Sequence, residues 1–224
     1  MCYPRSMRLL AIDTALEACS VGVIDGERIV VRSANVGRGH AEILMGQVDE
    51  AMREAGLAFA DLDRIAVTVG PGSFTGLRVG IAAARGFALA AGKPAVGIGT
   101  LAIHAAAVAG KPVLATLTAG RGEIYGQFFA ADGSEAAPAR AASPEVFAAE
   151  MGPDTLLAGS GADLVIAALP MDVRHAVIHR HASPDIATLC RLALAASETS
   201  TPPKPLYLRL PDAKPQTGAR IAHR

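Results

Sequence analysis

The sequence predicts an α/β protein of two lobes built on a duplicated fold, and three observations lead to this prediction. A pattern of three strands followed by alternating helices and strands occurs in the first half of the chain and again in the second. The 224 residues are enough for two lobes of about 100 residues each. Hydrophobic residues make up 51% of the chain and the mean hydropathy is +0.33, so a sizeable core is available.

In the first half, short β-branched runs are joined at Asp25-Gly26, a typical hairpin turn. A helix with apolar residues on one side follows, and Gly56 ends it. Two later strands flank a glycine-rich segment and an alanine-rich helix. We expect strands at 8–12, 19–24, 28–31, 65–69 and 95–98, and helices at 42–55, at 82–90 and after Thr100.

The second half shows the same order of elements. Asp132-Gly133 is another hairpin turn, and Ser143-Pro144 is typical of a helix start, with proline at the first position. Ser183-Pro184-Asp185 opens the last helix. We expect strands at 113–117, 124–129, 155–158 and 176–178, and helices from 143, from 159–161 to 169, and from 183 to 197.

These elements place the N-terminal lobe at 7–102 and the C-terminal lobe at 103–210. The proline-rich residues 201–205 form a stiff spacer, so residues 206–209 are expected to dock elsewhere on the protein. The tail at 211–224 is expected to be disordered.

Charge and cysteine content limit the function classes. Twenty-one basic and 21 acidic residues give no net charge, which argues against a strong nucleic-acid binder. Cys2, Cys19 and Cys190 have neither disulfide nor zinc spacing. Residues 1–6 lack the apolar stretch of a signal peptide, and no apolar run approaches the roughly 18 uncharged residues of a membrane span. We therefore expect a cytoplasmic protein that is not associated with a membrane.

The glycine-rich segment 70–80 is the most informative feature of the chain. Such a turn either holds an anion or lets two backbones approach closely. It does not fit a Walker loop, because Leu77 and Arg78 follow Gly76 where that loop needs Lys and then Ser or Thr. It does not fit a dinucleotide fingerprint or a nucleophile elbow either, because its Gly and Ser residues are spaced differently. We expect Ser73 or Thr75 to cap a helix here. One face of that helix carries Phe74, Leu77, Arg78, Ile81 and Arg85. This face is suited either to docking another protein or to packing in the chain's own core.

Three segments together resemble one family: residues 10–21, residues 70–80, and residues 121–125 with the late Tyr207-Leu208-Arg209. The chain resembles the bacterial TsaB family over most of residues 7–210. The resemblance implies an actin-like fold of the Hsp70 and sugar-kinase type, which is ribonuclease-H-like. It also implies a non-catalytic subunit that binds the catalytic paralogue TsaD, with the P-loop ATPase TsaE joining. That complex moves threonylcarbamoyl from its adenylate to N6 of adenosine 37 in tRNAs that read ANN codons.

The chain departs from the family pattern in the turn before Tyr125. The family commonly carries Asp-Ala-Arg there, whereas this chain has Thr118-Ala119-Gly120, with Arg121 one place later. A role that depends on that acid is therefore in doubt. For Arg121, Glu123 and Tyr125 we expect a cross-strand ion pair beside a tyrosine at the edge of the core, rather than a row of ligand contacts.

The resemblance also implies that the catalytic metal site is absent. The catalytic paralogues hold a metal with two histidines four residues apart on a helix and a distant Asp, but the matching positions here are His40 and Leu44. One imidazole does not supply the roughly three protein ligands of a catalytic metal. We expect no metal and no cofactor in this chain, and a nucleotide with magnesium only in the complex. The tRNA is expected to be bound mainly by the partners.

We expect the partner interface on the helix near His40 and on the helix after Gly76. The candidate contact residues are His40, Ile43, Leu44, Phe74, Leu77, Arg78, Gly80, Ile81 and Arg85. Small residues such as Gly80 would let helices cross closely, so Gly80→Leu and Arg78→Glu are expected to disrupt the complex and leave the fold intact. Without its partner the chain is expected to be able to form a homodimer through the same helices.

Two groups of polar residues leave alternatives open. Asp13-Thr14 ends the first strand, where actin-like ATPases place a carboxylate that orients magnesium; we favour an Asp that caps the turn at Ala15-Leu16. His175, His179 and His181 would share one face of a strand over 174–181, which suits a zinc site or, more commonly, an exposed edge strand. The alternative functions are an autonomous actin-like ATPase or small-molecule kinase that uses Asp13, and a peptidase.

Overall fold

The computed structural model describes residues 7–107, 110–170, 176–197 and 201–209. The predicted tail at 211–224 and His175 lie outside these ranges. The first sheet contains β1 (Arg8–Asp13), β2 (Ala18–Asp25), β3 (Arg28–Asn35), β4 (Arg64–Gly70) and β5 (Ala95–Gly99). The second sheet contains β6 (Val113–Gly120), β7 (Glu123–Phe129), β8 (Arg140–Ala142), β9 (Leu156–Ala158) and β10 (Val177–His179). The helices are α1 (His40–Ala55), α2 (Phe74–Ala91), α3 (Thr100–Ala105), α4 (Pro144–Glu150), α5 (Ala162–Ala168) and α6 (Ile186–Ala195).

The two sheets have the same topology. Their strand orders are β3-β2-β1-β4-β5 and β8-β7-β6-β9-β10. In the first sheet β1 pairs antiparallel with β2 and parallel with β4, and in the second β6 pairs antiparallel with β7 and parallel with β9. The duplicated α/β fold that the sequence predicts is therefore confirmed.

The first sheet is covered on both faces. Helices α1 and α2 pack on one face, where Leu44, Leu77 and Ile81 join the core formed by β1 and β4. Helix α6 covers the other face, with Leu189 and Cys190 buried against it. Helix α6 lies within residues 103–210 of the predicted C-terminal lobe and packs on the first sheet.

Two features fix α6 in this position. A Cβ on Gly22 of β2 would lie 2.7 Å from the Cys190 sulfur, so the glycine lets the helix approach the strand. The buried Arg64 guanidinium donates to the carbonyl oxygens of Ala193 and Ala196, at 2.7 and 2.6 Å. These carbonyls belong to the last turn of α6, where acceptors lack helical partners.

Helix α3 joins the two halves of the protein. Leu101 and Ala105 pack in the core of the second sheet, whereas Ile103 packs with α6 in the core of the first. On the far face of the second sheet, α4 and α5 bury Phe147 and Val165. Phe147 lies directly over Gly126 of β7, where a Cβ would be 2.4 Å from the ring.

Helix α2 is long and apolar enough to cross a membrane by length and composition alone, and it is the one described helix that meets this criterion. It contains Arg78 and Arg85, and residues such as Leu77 and Ile81 are buried in the core of the first sheet. A core helix of this kind passes the same test, so the helix alone is weak evidence for a membrane span.

Candidate functional site

The glycine-rich segment packs closely against the loop that follows β1. A Cβ on Gly72 would lie 2.4 Å from the Ala15 carbonyl oxygen, and one on Gly76 would lie 2.1 Å from that of Thr14. The backbone N–H of Ser73 donates to the Ala15 carbonyl at 2.6 Å. The Ser73 hydroxyl accepts from Gly76 N at 3.3 Å and so caps α2, as one of the two expected capping residues. The glycines thus permit close packing here.

Asp13 is fully buried at the end of β1. One carboxylate oxygen accepts from the backbone N–H of Ala15 at 3.1 Å, which is the turn contact that the sequence favours. Burial raises the pKa of Asp13 to about 6, and the Ala15 N–H and the Thr68 hydroxyl oppose this increase. The carboxylate therefore supports the turn and does not face the solvent.

His40 and Leu44 both point into the protein. His40 is 7% exposed, and its Nε2 lies 2.8 Å from the Leu16 carbonyl oxygen. Leu44 is part of the core beneath α1. His40 thus contacts the loop after β1, and Leu44 contacts the chain's own core.

The nine predicted interface residues differ in how far they are exposed to solvent. Five are buried in the chain's own core: His40, Leu44, Leu77, Gly80 and Ile81. Ile43 is partly buried, and Phe74, Arg78 and Arg85 are exposed. A Cβ on Gly80 would lie 2.4 Å from the Thr14 hydroxyl oxygen, so we expect Gly80→Leu to disturb the fold as well as any complex.

The exposed side of α1 and α2 forms an uncovered surface, which we call the docking face. It consists of Met45, Phe74, Arg78, Ala82, Arg85 and Leu89. Large apolar side chains are unusually accessible on it: Leu89 is 86% exposed, Met45 57% and Phe74 44%. A groove of about 380 Å³ between the two helices is lined by Met45, Met52 and Phe87 among others.

Sequence reasoning missed Met45, Ala82 and Leu89. The helical spacing on α2 nevertheless indicates Ala82 and Leu89, because Arg78, Ala82, Arg85 and Leu89 follow one another at intervals of four, three and four. That series lies about a quarter of a turn around the helix from the buried series that contains Leu77, Ile81 and Ala88. The prediction merged the two series into a single face.

The last described residues, which we call the C-terminal strap (residues 202–209), connect the two lobes. Leu206 N donates to the Val69 carbonyl at 2.8 Å, and the Tyr207 ring lies 5.2 Å from the Phe74 ring. The Arg209 guanidinium donates to the carbonyls of Ala119 and Gly120, at 2.8 and 3.0 Å, and pairs with the Glu123 carboxylate. The prediction that residues 206–209 dock on the protein is confirmed.

The Arg209 contacts also change the interpretation of the β6–β7 turn. Glu123 pairs with Arg209 of the strap, and the Arg209 guanidinium lies 5.9 Å from the centre of the Tyr125 ring. Arg121 lies in the turn itself, with a left-handed φ of 58°. The altered turn Thr118–Gly120 therefore supplies backbone carbonyls that hold the strap.

A cleft of about 340 Å³ separates the two lobes. Its walls include Glu17 and Ser73 on one side, and Thr118, Tyr125 and Ser160 on the other. Among the described residues that line it, none is Lys or Arg. A nucleotide phosphate in the cleft would thus meet an acid and no basic side chain, which gives the ATPase alternative no support.

The predicted histidine cluster is arranged differently from the expectation. Strand β10 covers Val177–His179, close to the expected strand at 176–178, so His181 lies beyond it and shares no strand face with His179. The centre of the His179 ring lies 5.0 Å from the centre of the His104 ring and 6.1 Å from the centre of the His181 ring. Within the described ranges, no three His, Cys, Asp or Glu side chains are placed to hold a metal.

His104 lies in α3, between the two sheets. Its Nε2 is 3.0 Å from the Ala182 carbonyl oxygen, and His179 Nε2 is 3.3 Å from the His104 carbonyl oxygen. Burial and the nearby His179 together lower the pKa of His104 to about 4. The ring is therefore neutral near pH 7 and serves as a structural link.

The amino-acid sequence is similar to that of several known proteins. The TsaD family, described as tRNA N6-adenosine threonylcarbamoyltransferase, matches residues 27–153. An uncharacterized protein of Mycobacterium tuberculosis is 35% identical over 210 residues, which cover 92% of this chain and 94% of that protein. The tRNA threonylcarbamoyladenosine biosynthesis protein TsaB of Escherichia coli is 38% identical over 123 residues, or 53% of each chain.

Solved structures agree with these sequence matches. YeaZ from Pseudomonas aeruginosa superimposes with a TM-score of 0.79 at 30% identity, over 90% of this chain and all of that one. Another structure from Pseudomonas aeruginosa, described as similar to peptidase YeaZ, has a TM-score of 0.80 at 28% identity. The two-lobed architecture is therefore shared along nearly the whole chain.

Proposed function

The chain belongs to the TsaB family, within the wider TsaD family, and on this premise we propose that it acts in tRNA threonylcarbamoyladenosine biosynthesis as a non-catalytic subunit. In this role it binds and activates a TsaD-like catalytic subunit in the cytoplasm, and a TsaE-like ATPase joins the complex. The complex transfers threonylcarbamoyl to N6 of adenosine 37 in tRNAs that read ANN codons.

The docking face is the observation that carries this proposal. Met45, Phe74 and Leu89 expose apolar surface on two adjacent helices, although the same helices have a well-buried opposite side. Burial of such surface is favourable at about 25 cal/mol per Å², so a partner that covers it stabilises the complex. Two helices can pack against a second pair of helices, and the small Ala82 and Gly86 let a facing helix approach α2 closely.

The surroundings of His40 support a non-catalytic role. Its ring is bound to the Leu16 carbonyl, and Leu44, one helical turn later, is in the core. Neither residue is placed to ligate a catalytic metal. We propose that the chain uses no cofactor of its own, and that the tRNA is bound mainly by the partners, because the chain carries no net charge.

Size-exclusion chromatography with light scattering tests the proposal. The chain is measured alone and mixed with the TsaD-like protein of the same organism, and each sample is assayed for threonylcarbamoylation of tRNA with the TsaE-like ATPase present. We expect a stable heterodimer, and modification only in the mixture. Turnover by this chain alone, or the absence of a complex, would overturn the proposal. The sample without partner also shows whether the chain forms a homodimer.

Matched variants locate the interface. Leu89→Glu introduces a charge at the most exposed apolar residue of the docking face, so we expect it to abolish the heterodimer. Leu164→Glu makes the same change at a 43% exposed leucine on α5, in the second half of the fold, and is expected to leave the heterodimer intact. Equal binding by both variants would contradict this placement of the interface.

A further inference from the structure

The cleft between the two lobes lies at the carboxyl ends of parallel strands. Residues 16–17 follow β1, and residues 72–73 follow β4, which is parallel to β1. On the other wall, residues 117–119 belong to the end of β6, and Ser160 follows β9, which is parallel to β6. Open α/β sheets bind small ligands in the crevice outside such strand ends, and a volume of about 340 Å³ is in the range of small-molecule sites.

The hydroxyl groups on both walls are held in place by the backbone and can accept hydrogen bonds from a ligand. The Ser160 hydroxyl oxygen accepts from Thr118 N at 3.2 Å and lies 3.5 Å from the Thr118 hydroxyl oxygen. On the opposite wall, the Ser73 hydroxyl oxygen accepts from Gly76 N at 3.3 Å. Each hydroxyl oxygen has two lone pairs, so the three oxygens together retain acceptor capacity toward the cleft.

Glu17 gives the cleft a negative charge. Its side chain is exposed and lines the cleft, and within the described ranges its carboxylate forms neither an ion pair nor a hydrogen bond. The described lining residues include no lysine and no arginine. Arg209, which donates to the Ala119 carbonyl and lies near the Tyr125 ring, is not among them and pairs with Glu123. A cation in the cleft would therefore meet a carboxylate without a counter-ion.

An aromatic ring and aliphatic side chains complete the walls. Tyr125 is half-buried and lines the cleft together with Leu16 and Leu117. The face of an aromatic ring attracts a cation, and aliphatic side chains cover hydrocarbon. An ammonium group has three N–H donors and no acceptor, which matches one carboxylate and several hydroxyl oxygens. A phosphate or carboxylate ligand would instead meet the like charge of Glu17.

We infer that the cleft binds a small alkylammonium ligand. Its charged group pairs with the Glu17 carboxylate and donates to hydroxyl oxygens of the cleft walls, and its hydrocarbon part lies against Tyr125. Because Glu17 belongs to the first lobe and Tyr125 to the second, the bound ligand contacts both lobes. The inference does not rest on the proposed function, since the site consists of residues of this chain and includes none of the docking face.

Three ligands with the same hydrocarbon chain test the inference. At neutral pH n-butylamine is positively charged, n-butanol is uncharged and butyrate is negatively charged. Each is titrated into the full chain at constant ionic strength, and binding is followed through the amide NMR signals of Ser73, Thr118 and Ser160. We expect the amine to bind at least about tenfold more tightly than the alcohol, because it adds a charged hydrogen bond, and we expect butyrate not to shift these signals.

Matched variants identify the group that binds the charge. Glu17→Gln removes the negative charge with little change of shape, so it should bind butylamine at least about tenfold more weakly. Glu27→Gln is the control, because Glu27 is an exposed glutamate at the other end of the first sheet, in the turn beside Asp25, which pairs with Arg8 at the start of β1. It should bind as the wild-type protein does. Thermal unfolding shows that each variant is folded.

Several results would overturn the inference. Equal affinity for butylamine and butanol would mean that the cleft is only apolar, and equal binding by Glu17→Gln and wild type would mean that the carboxylate has no part in it. Shifts spread over exposed acidic residues outside the cleft would identify an adventitious ligand only. The absence of any shift of the cleft signals at millimolar butylamine would also overturn the inference. Each of these results leaves the proposed function standing, because complex formation with the TsaD-like subunit is measured separately.

Discussion

Gly80 and Gly86 show how differently one residue type acts within a single helix. Both lie inside α2, where glycine is less favourable than alanine. Gly80 faces β1, and a Cβ there would lie 2.4 Å from the Thr14 hydroxyl oxygen and 3.5 Å from a Val67 methyl group. Gly86 faces outward, and a Cβ there would have no contact within 4 Å outside its own helix backbone. Space at the Cβ position therefore decides the effect of each glycine.

We predict that Gly80→Ala lowers the free energy of unfolding by about 1–3 kcal/mol, because the added methyl group overpacks the contact with Thr14. Gly86→Ala, the matched control, should raise it by about 0.5–1 kcal/mol through helix propensity. Urea denaturation of both variants measures the two values. A stabilising effect of Gly80→Ala would contradict the close packing of α2 on β1.

At the scale of elements, the C-terminal strap is the connection that the sequence indicates least clearly. Residues 201–209 form neither a helix nor a strand, yet they contact β4, α2 and the β6–β7 turn. The strap thus holds the two walls of the cleft, since Phe74 is next to Ser73 on one wall, and Ala119 and Tyr125 belong to the other. Arg209 is its anchor on the second lobe.

Arg209→Ala removes the hydrogen bonds to Ala119 and Gly120 together with the Glu123 ion pair. We predict that the amide of Leu206, which donates to Val69, then exchanges with solvent about tenfold faster or more, because hydrogen bonds to charged groups contribute about 1.5–3 kcal/mol each. Amide hydrogen exchange measured by NMR tests this expectation. Lys204→Ala changes an exposed residue of the same strap and should leave the rate unchanged.

At the scale of the whole molecule, the free energy of unfolding depends on pH through two buried titratable groups, Asp13 and His104. Their effects have opposite signs. The pKa of Asp13 rises on folding from 3.8 to about 6, so the folded protein retains this proton longer than the unfolded chain. Asp13 alone therefore makes the free energy of unfolding fall as the pH rises through this range. The pKa of His104 falls from 6.5 to about 4, so this residue alone makes the free energy of unfolding fall as the pH is lowered.

We predict that Asp13→Asn gains stability relative to wild type as the pH rises from about 4 to about 6, by up to roughly 3 kcal/mol. His104→Gln should show the reverse, gaining stability relative to wild type as the pH is lowered from about 6.5 to about 4. Urea denaturation of the three proteins across this range provides the comparison. Parallel pH profiles for all three would mean that neither group titrates differently in the folded and unfolded states.

The residues alone predict the duplicated α/β pattern, the family resemblance and the packing role open to the glycine-rich segment. These depend on local signals: alternation and helical spacing of apolar residues, hairpin turns, and the positions of glycine, serine and proline. Strands and helices were therefore predictable, although the bounds of α2 and β10 were not.

Three features depend on the folded protein: which side of α2 is buried, where α6 packs, and what Arg209 contacts. Each of these depends on residues far apart in the chain, such as Cys190 against Gly22 and Arg209 against the β6–β7 turn. Periodicity shows that a helix has an apolar side, but that side can bury against the chain's own sheet or against a partner. Leu77 and Leu89 are both apolar residues of α2, and the position of β1 and β4 alone makes one of them core and leaves the other exposed.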